Sequence, residues 1–267
     1  MVMSRVSADR DLEVADVRSL LRGPDRPRTL RLLADLHDDL MSRTLPESEI
    51  EDFDSLVDRL DGTQGISGPE AVLIVIGRDL LCDGRKILAF GLADYFPHSR
   101  CALVTALERE AVIAHGDLWI GTRTIIEVLR ERLVDRAEIL AGATGLRGVF
   151  TECRDPDAEG LADPEADAEA APSLARSRRE RRRMRGGQIG WELLAVPIDY
   201  VRPAFGFGGG FGGPIWLCIC ADSVRRFLPD RETIKAFLVE LWTTLAGRPP
   251  GERDADALRM LRQASAL

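Results

Sequence analysis

Apolar positions along the chain recur every three or four residues in some stretches and run nearly unbroken in others. That alternation predicts the elements. In "PDRPRTLRLLADLHDDLMSRTLP" Leu32, Leu36 and Leu40 stand at intervals of four, the stripe of an amphipathic helix. "ESEIEDFDSLVDRL" repeats it with Ile50, Phe53, Leu56 and Leu60, a second helix after Pro46, and the turn residues of "DGTQGISGPE" end the helical region. Strand-like runs follow at 71–77 ("AVLIVIG"), 86–96 ("KILAFGLADYF") and 101–108 ("CALVTALE"). Only the turn-like "DGR" and "PHS" separate them, which predicts an antiparallel meander.

From about residue 122 the period is helical again, with Ile126, Leu129, Leu133, Ala137 and Leu140 on one face. Thr124 and Glu127 have capping-box spacing, and Thr122 is an alternative cap. "LRGVFTEC" (146–153), "WELLAVPIDYV" (191–201) and "PIWLCICA" (214–221) read as further strands. Asp230 then caps a helix with Ile234, Phe237, Leu241 and Leu245 on one face, which "GRPPG" stops. The stretch 154–186 breaks the pattern, with seven acids in its first part and seven arginines in "RSRRERRRMRGG". It reads as a charged insertion: a mobile acidic loop, then a basic segment able to dock by its arginine stems or to pair with that loop. The expected organisation is one domain over 1–250 carrying this insertion, with 251–267 as a tail or short helix.

Composition narrows the function classes. A net charge of −8 and a pI near 5.1 argue against nucleic acid as a partner, since that surface is usually basic. No apolar run is long enough for a membrane span, and "MVMSRVSADRDLEV" lacks the apolar centre of a signal peptide, so neither membrane nor export is expected and the cytoplasm is. The five cysteines and three histidines show no metal-ligand spacing, so no metal is expected.

Two segments are glycine-punctuated. "FGFGGGFGGP" (205–214) leads into an apolar strand and reads as a flexible connection whose phenylalanines could line a substrate mouth. "HGDLWIGTRTIIEVL" (115–129) has a strand before it and a capped helix after it, the context in which backbone amides and a helix N-terminus converge on an anion.

The element order, together with "KILAFGLADYFPHSRCALVTALE", "LWIGTRTIIEVLRERL", "LRGVFTECRDP" and "LLAVPIDYVRPAF", resembles the GNAT superfamily of acyl-CoA-dependent N-acetyltransferases over about residues 14–245. The resemblance implies an α/β (α+β) fold, a mixed and mostly antiparallel central sheet flanked by helices. It implies acetyl-CoA or another acyl-CoA as cosubstrate, held by a turn comprising Gly116, Leu118, Trp119, Ile120, Gly121, Thr122 and Arg123. The family turn reads Arg/Gln-x-x-Gly-x-Gly/Ala. With Gly121 at its last position, Trp119 takes the place of the central glycine and Gly116 that of the first residue, so one position of three matches. A splay of the sheet between about 101–110 and 146–153 would admit the cofactor.

Acyl transfer to an amine requires a base, an oxyanion donor and an acid for the departing thiolate. The resemblance places the oxyanion donor among the amides of Leu107 to Val112. Glu108 and Glu152 are the candidate bases and Tyr200 the candidate acid, with Tyr95 and His98 as weaker alternatives. The acceptor would be a small amine or an amino group of a protein, and a second copy of the chain or a partner protein remains open. A GNAT-fold subunit that binds a partner without catalysis is the rival reading.

Overall fold

Strands and helices in the computed structural model follow the apolar periods of the sequence; it describes residues 12–45, 50–62, 68–110, 119–120, 123–154, 191–201, 215–222 and 228–267. The strands are β1 (Glu13–Asp16), β2 (Glu70–Arg78), β3 (Lys86–Phe96), β4 (Cys101–Arg109), β5 (Trp119–Ile120), β6 (Arg123–Thr124), β7 (Gly148–Arg154), β8 (Trp191–Ala195) and β9 (Ile215–Asp222). Seven of them form one sheet in the order β1-β2-β3-β4-β7-β9-β8, while β5 and β6 form a separate ribbon. β1/β2, β7/β9 and β8/β9 are antiparallel, and β4/β7 is a parallel pair. The connections β2–β3 and β3–β4 are too short for a crossover, so these neighbours are antiparallel too. A parallel pair requires a long connection, and here it contains helix α4 (Ile125–Ala141). This is the mixed, mostly antiparallel sheet with flanking helices that the sequence predicts.

The chain divides into two compact units, Met1–Asp94 with Thr105–Ile139, and Tyr95–Val104 with Leu140–Leu267. In the first, short polar side chains start the helices. Asp16 accepts from the Ser19 amide to open α1 (Val17–Leu21), and Asp52 accepts from the Ser55 amide to open α3 (Phe53–Asp61). That cap sets the start of α3 at Phe53; the part of the expected helix at 47–49 lies outside the described residues. Helix α2 (Arg26–Asp35) passes into a π-helical stretch, Leu36–Met41. Leu32, Leu36 and Leu40 are all buried, in one cluster with Leu56, Leu60, Val75 and Phe90.

Gly91 on β3 lets α4 approach this sheet closely, because a Cβ there would meet Leu133 Cδ1 at 2.9 Å and Leu107 Cδ2 at 3.2 Å. Gly77 is tighter still, with the Lys86 carbonyl oxygen only 2.3 Å from where a Cβ would stand.

The second unit is built around Phe237 of α5 (Arg231–Ala246), which stacks on Phe150 of β7 at 4.2 Å and meets Phe96 edge-on at 5.3 Å. Asp230 caps α5 by accepting from the Thr233 amide, as expected, and Gly247 ends it in the left-handed region at φ 69°. A last helix, α6 (Ala255–Ser265), buries Met260 and Ala264 in the same cluster. β8 stops at Ala195 instead of running to residue 201, because Pro197 cannot donate to a ladder. The expected acidic loop, the arginine run and the glycine-rich connection at 205–214 lie outside the described residues.

Candidate functional site

Tyr200 and Glu152, singled out separately in the sequence, are joined by a hydrogen bond in which the phenol donates to Glu152 Oε1. Each is set by its own element. Glu152 belongs to β7, whose ladder with β4 ends one residue earlier at the pair Val104–Thr151, while its ladder with β9 continues through Glu152–Leu217 to Arg154–Ile215. Its carboxylate therefore projects from a strand held on the β9 side, just past the last residue paired with β4. Tyr200 follows the end of β8, with its ring buried among Phe96, Leu103, Phe150 and Phe237. The ring is anchored by apolar packing and the hydroxyl end meets a polar partner, the usual arrangement for a buried tyrosine.

Glu108 lies in the other unit, on β4, and is buried. Strand alternation puts it on the same face as Ala106, which packs into the cluster of α1, α2 and α3, whereas Leu107 faces Leu133 of α4. Of the amides expected to polarise a thioester carbonyl, that of Glu110 is committed to the Leu88 carbonyl at 2.8 Å, and residues 111–112 lie outside the described residues. Tyr95 is buried. His98 is exposed in the β3–β4 turn, where its amide and that of Ser99 donate to Glu240 at 3.0 and 2.7 Å.

The turn of the cofactor expectation is partly described. Trp119 pairs with Thr124 and Ile120 with Arg123, making the β5–β6 ribbon. Gly116, Leu118, Gly121 and Thr122 lie outside the described residues. Thr124, the first of the two candidate caps, is the one used: its Oγ1 accepts from the Glu127 amide at 3.2 Å and its own amide donates to Glu127 Oε2 at 2.6 Å. The helix accordingly begins at Ile125 rather than near 122. The Arg123 guanidinium is paired with Glu131.

Two partners were invisible in the pattern. Glu127 reads as a helix-capping residue and gives no sign that it sets a negative charge beside the turn. Gln263, on α6, bonds both the amide and the carboxylate of Asp199. No periodicity connects positions so far apart in the chain.

No family model matches the sequence, and no curated protein matches it. Among solved structures, the chain is similar to a protein assigned to the GNAT acetyltransferase family from Bacteroides thetaiotaomicron, at 14% identity and a TM-score of 0.46, covering 88% of this chain and 97% of that one. It is similar to the diaminobutyrate acetyltransferase of Paenibacillus lautus at 12% identity and a TM-score of 0.42, covering 82% and 98%. A GNAT-family acetyltransferase from Staphylococcus aureus follows at 5% identity and a TM-score of 0.39, covering 78% and 98%. Such values decide nothing about activity. The strand order carries the architecture on its own: a mixed, mostly antiparallel sheet in which β4 and β7 are parallel and the connection between them contains α4, a helix opened by a capping box.

Proposed function

We propose that the protein is an acyl-CoA-dependent N-acyltransferase, most simply one that moves an acetyl group from acetyl-CoA to an amine. The observation that carries the reading is the Tyr200–Glu152 hydrogen bond, which couples a proton donor to a carboxylate. In the reaction the amine nitrogen bonds to the thioester carbon and the C–S bond breaks. Glu152 takes the amine proton, Tyr200 gives its phenolic proton to the thiolate, and the hydrogen bond between them returns the proton to Tyr200. Glu108 stands as an alternative base. The acceptor is an amine-bearing small molecule or protein; a net charge of −8 favours the approach of a cationic one.

Gly116, Leu118, Trp119, Ile120, Gly121, Thr122 and Arg123 would hold the pyrophosphate of the cosubstrate through the turn's backbone and the α4 N-terminus. One observation favours a second reading, a GNAT-fold subunit that binds a partner without catalysis. The Thr124 amide is already satisfied by the Glu127 carboxylate and Arg123 by Glu131, so charges of the chain's own occupy the neighbourhood a phosphate needs.

Titrating acetyl-CoA calorimetrically into the natural protein and into Gly121→Glu and Trp119→Gly tests the choice. The enzyme reading expects binding, at least about tenfold weaker (~1.4 kcal/mol) in Gly121→Glu. Binding by neither the natural protein nor Trp119→Gly supports the non-catalytic reading.

A further inference from the structure

We infer that the C-terminal helix α6 is the device that aims Tyr200, with Gln263 as its positioning residue. The inference rests on Tyr200 being the proton donor of the proposed reaction.

It follows from an account of the backbone between β8 and Val201. Beyond Val196, whose amide still donates to β9, the chain departs from that strand, and a departing segment must find other partners for its amides or leave them to water. Here each one is spoken for. The Val196 amide donates to the Leu217 carbonyl, that of Ile198 to the Val196 carbonyl and that of Tyr200 to the Ile198 carbonyl, all at 2.8–2.9 Å, while Pro197 has none to offer. The two amides that flank Tyr200 go to α6: that of Asp199 to Gln263 Oε1 at 2.8 Å and that of Val201 to the Met260 sulfur at 3.2 Å.

Gln263 closes the bond reciprocally, its Nε2 donating to Asp199 Oδ2 at 2.8 Å. A side-chain amide is the group suited to this, since it offers an acceptor and a donor side by side. Met260 and Ala264 are buried in the same apolar cluster as the Tyr200 ring, so the helix grips backbone and side chain together. Two residues on one face of α6, three apart, thus fix the residues immediately before and after the tyrosine. The phenol's approach to Glu152 depends on that grip, because residues 199–201 belong to no strand.

The test uses the full chain. It contains two tyrosines, so tyrosine labelled with 13C at Cζ gives two resonances, and Tyr200→Phe identifies which belongs to Tyr200. Gln263→Ala is expected to move the Tyr200 resonance and leave that of Tyr95 in place. Arg262→Ala, on the same helix and bonded among the described residues within it to the Leu258 carbonyl, is the control and moves neither. In acyl transfer, Gln263→Ala should lower kcat about tenfold with the KM for acyl-CoA unchanged, and should add nothing to the loss in Tyr200→Phe. That lack of additivity separates aiming from general destabilisation.

A Tyr200 resonance unmoved by Gln263→Ala overturns the inference whatever the activity. So does a further drop in turnover when Gln263→Ala is added to Tyr200→Phe. A moved resonance in a protein with no acyl transfer upholds the grip of α6 on Tyr200 and removes the proposed function instead.

Discussion

His37 illustrates how a residue with catalytic chemistry is absorbed by structure. Its Nε2 lies 2.9 Å from the Glu51 carbonyl, its Nδ1 3.1 Å from Asp38 Oδ1, and its ring meets Phe53 edge-on. Burial works against a charge on the imidazole, but the bonds to Glu51 and Asp38 outweigh it, with Asp52 adding to them, and the pKa is raised above 6.5. A group that binds its proton more tightly when folded adds stability that is full below the unfolded value and is lost as pH rises through the folded one. The natural protein should therefore exceed His37→Gln in urea resistance by more at about pH 5.5 than at about pH 8. Paired urea denaturation curves check this; an advantage that grows with pH contradicts the assigned bonds. Cys101 shows the opposite kind of silence. Burial is the main cause of a thiol pushed up to about 12, which keeps it an uncharged core residue at any working pH.

Elements were readable from the sequence where local chemistry alone determines them. The stripe of Leu32, Leu36 and Leu40, the Asp230 cap and the Thr124–Glu127 pair need no distant partner, and each is found in the structure. What went unread depends on contacts between elements. The end of β8 at Ala195 follows from Pro197, a local signal outvoted in the sequence by the apolar run around it. The meeting of Tyr200 with Glu152, 48 positions apart, is made by β7, β9 and α6 jointly. Each of these two residues was identifiable by its chemistry, but not the bond between them. At this scale the capping box makes a distinct claim. Thr124→Ala should cost about 1 kcal/mol, a fall of roughly 2–4 °C in melting temperature for a chain of this size. Glu127→Gln should spare most of that stability, since Gln also completes a capping box. It removes a negative charge beside the turn and should tighten any acyl-CoA binding. Calorimetric melting and titration of the same two variants decide both points, and weaker acyl-CoA binding by Glu127→Gln would place the phosphates elsewhere.

For the whole molecule, architecture and activity stand on different footings. The seven-stranded order and its parallel pair are observed, and they define a mixed, mostly antiparallel sheet flanked by helices. Fold alone does not assign chemistry, which has to be located in side chains able to move protons. The proposed chemistry resides in the Tyr200–Glu152 pair, and its most direct test is the release of free CoA thiol. The natural protein is assayed with acetyl-CoA and a panel of primary amines and polyamines, beside Tyr200→Phe and Glu152→Gln. The expected result is amine-dependent thiol release by the natural protein, with kcat lower by about 10²-fold or more in each variant and acetyl-CoA affinity unchanged. Thiol release at the natural rate by both variants would contradict it.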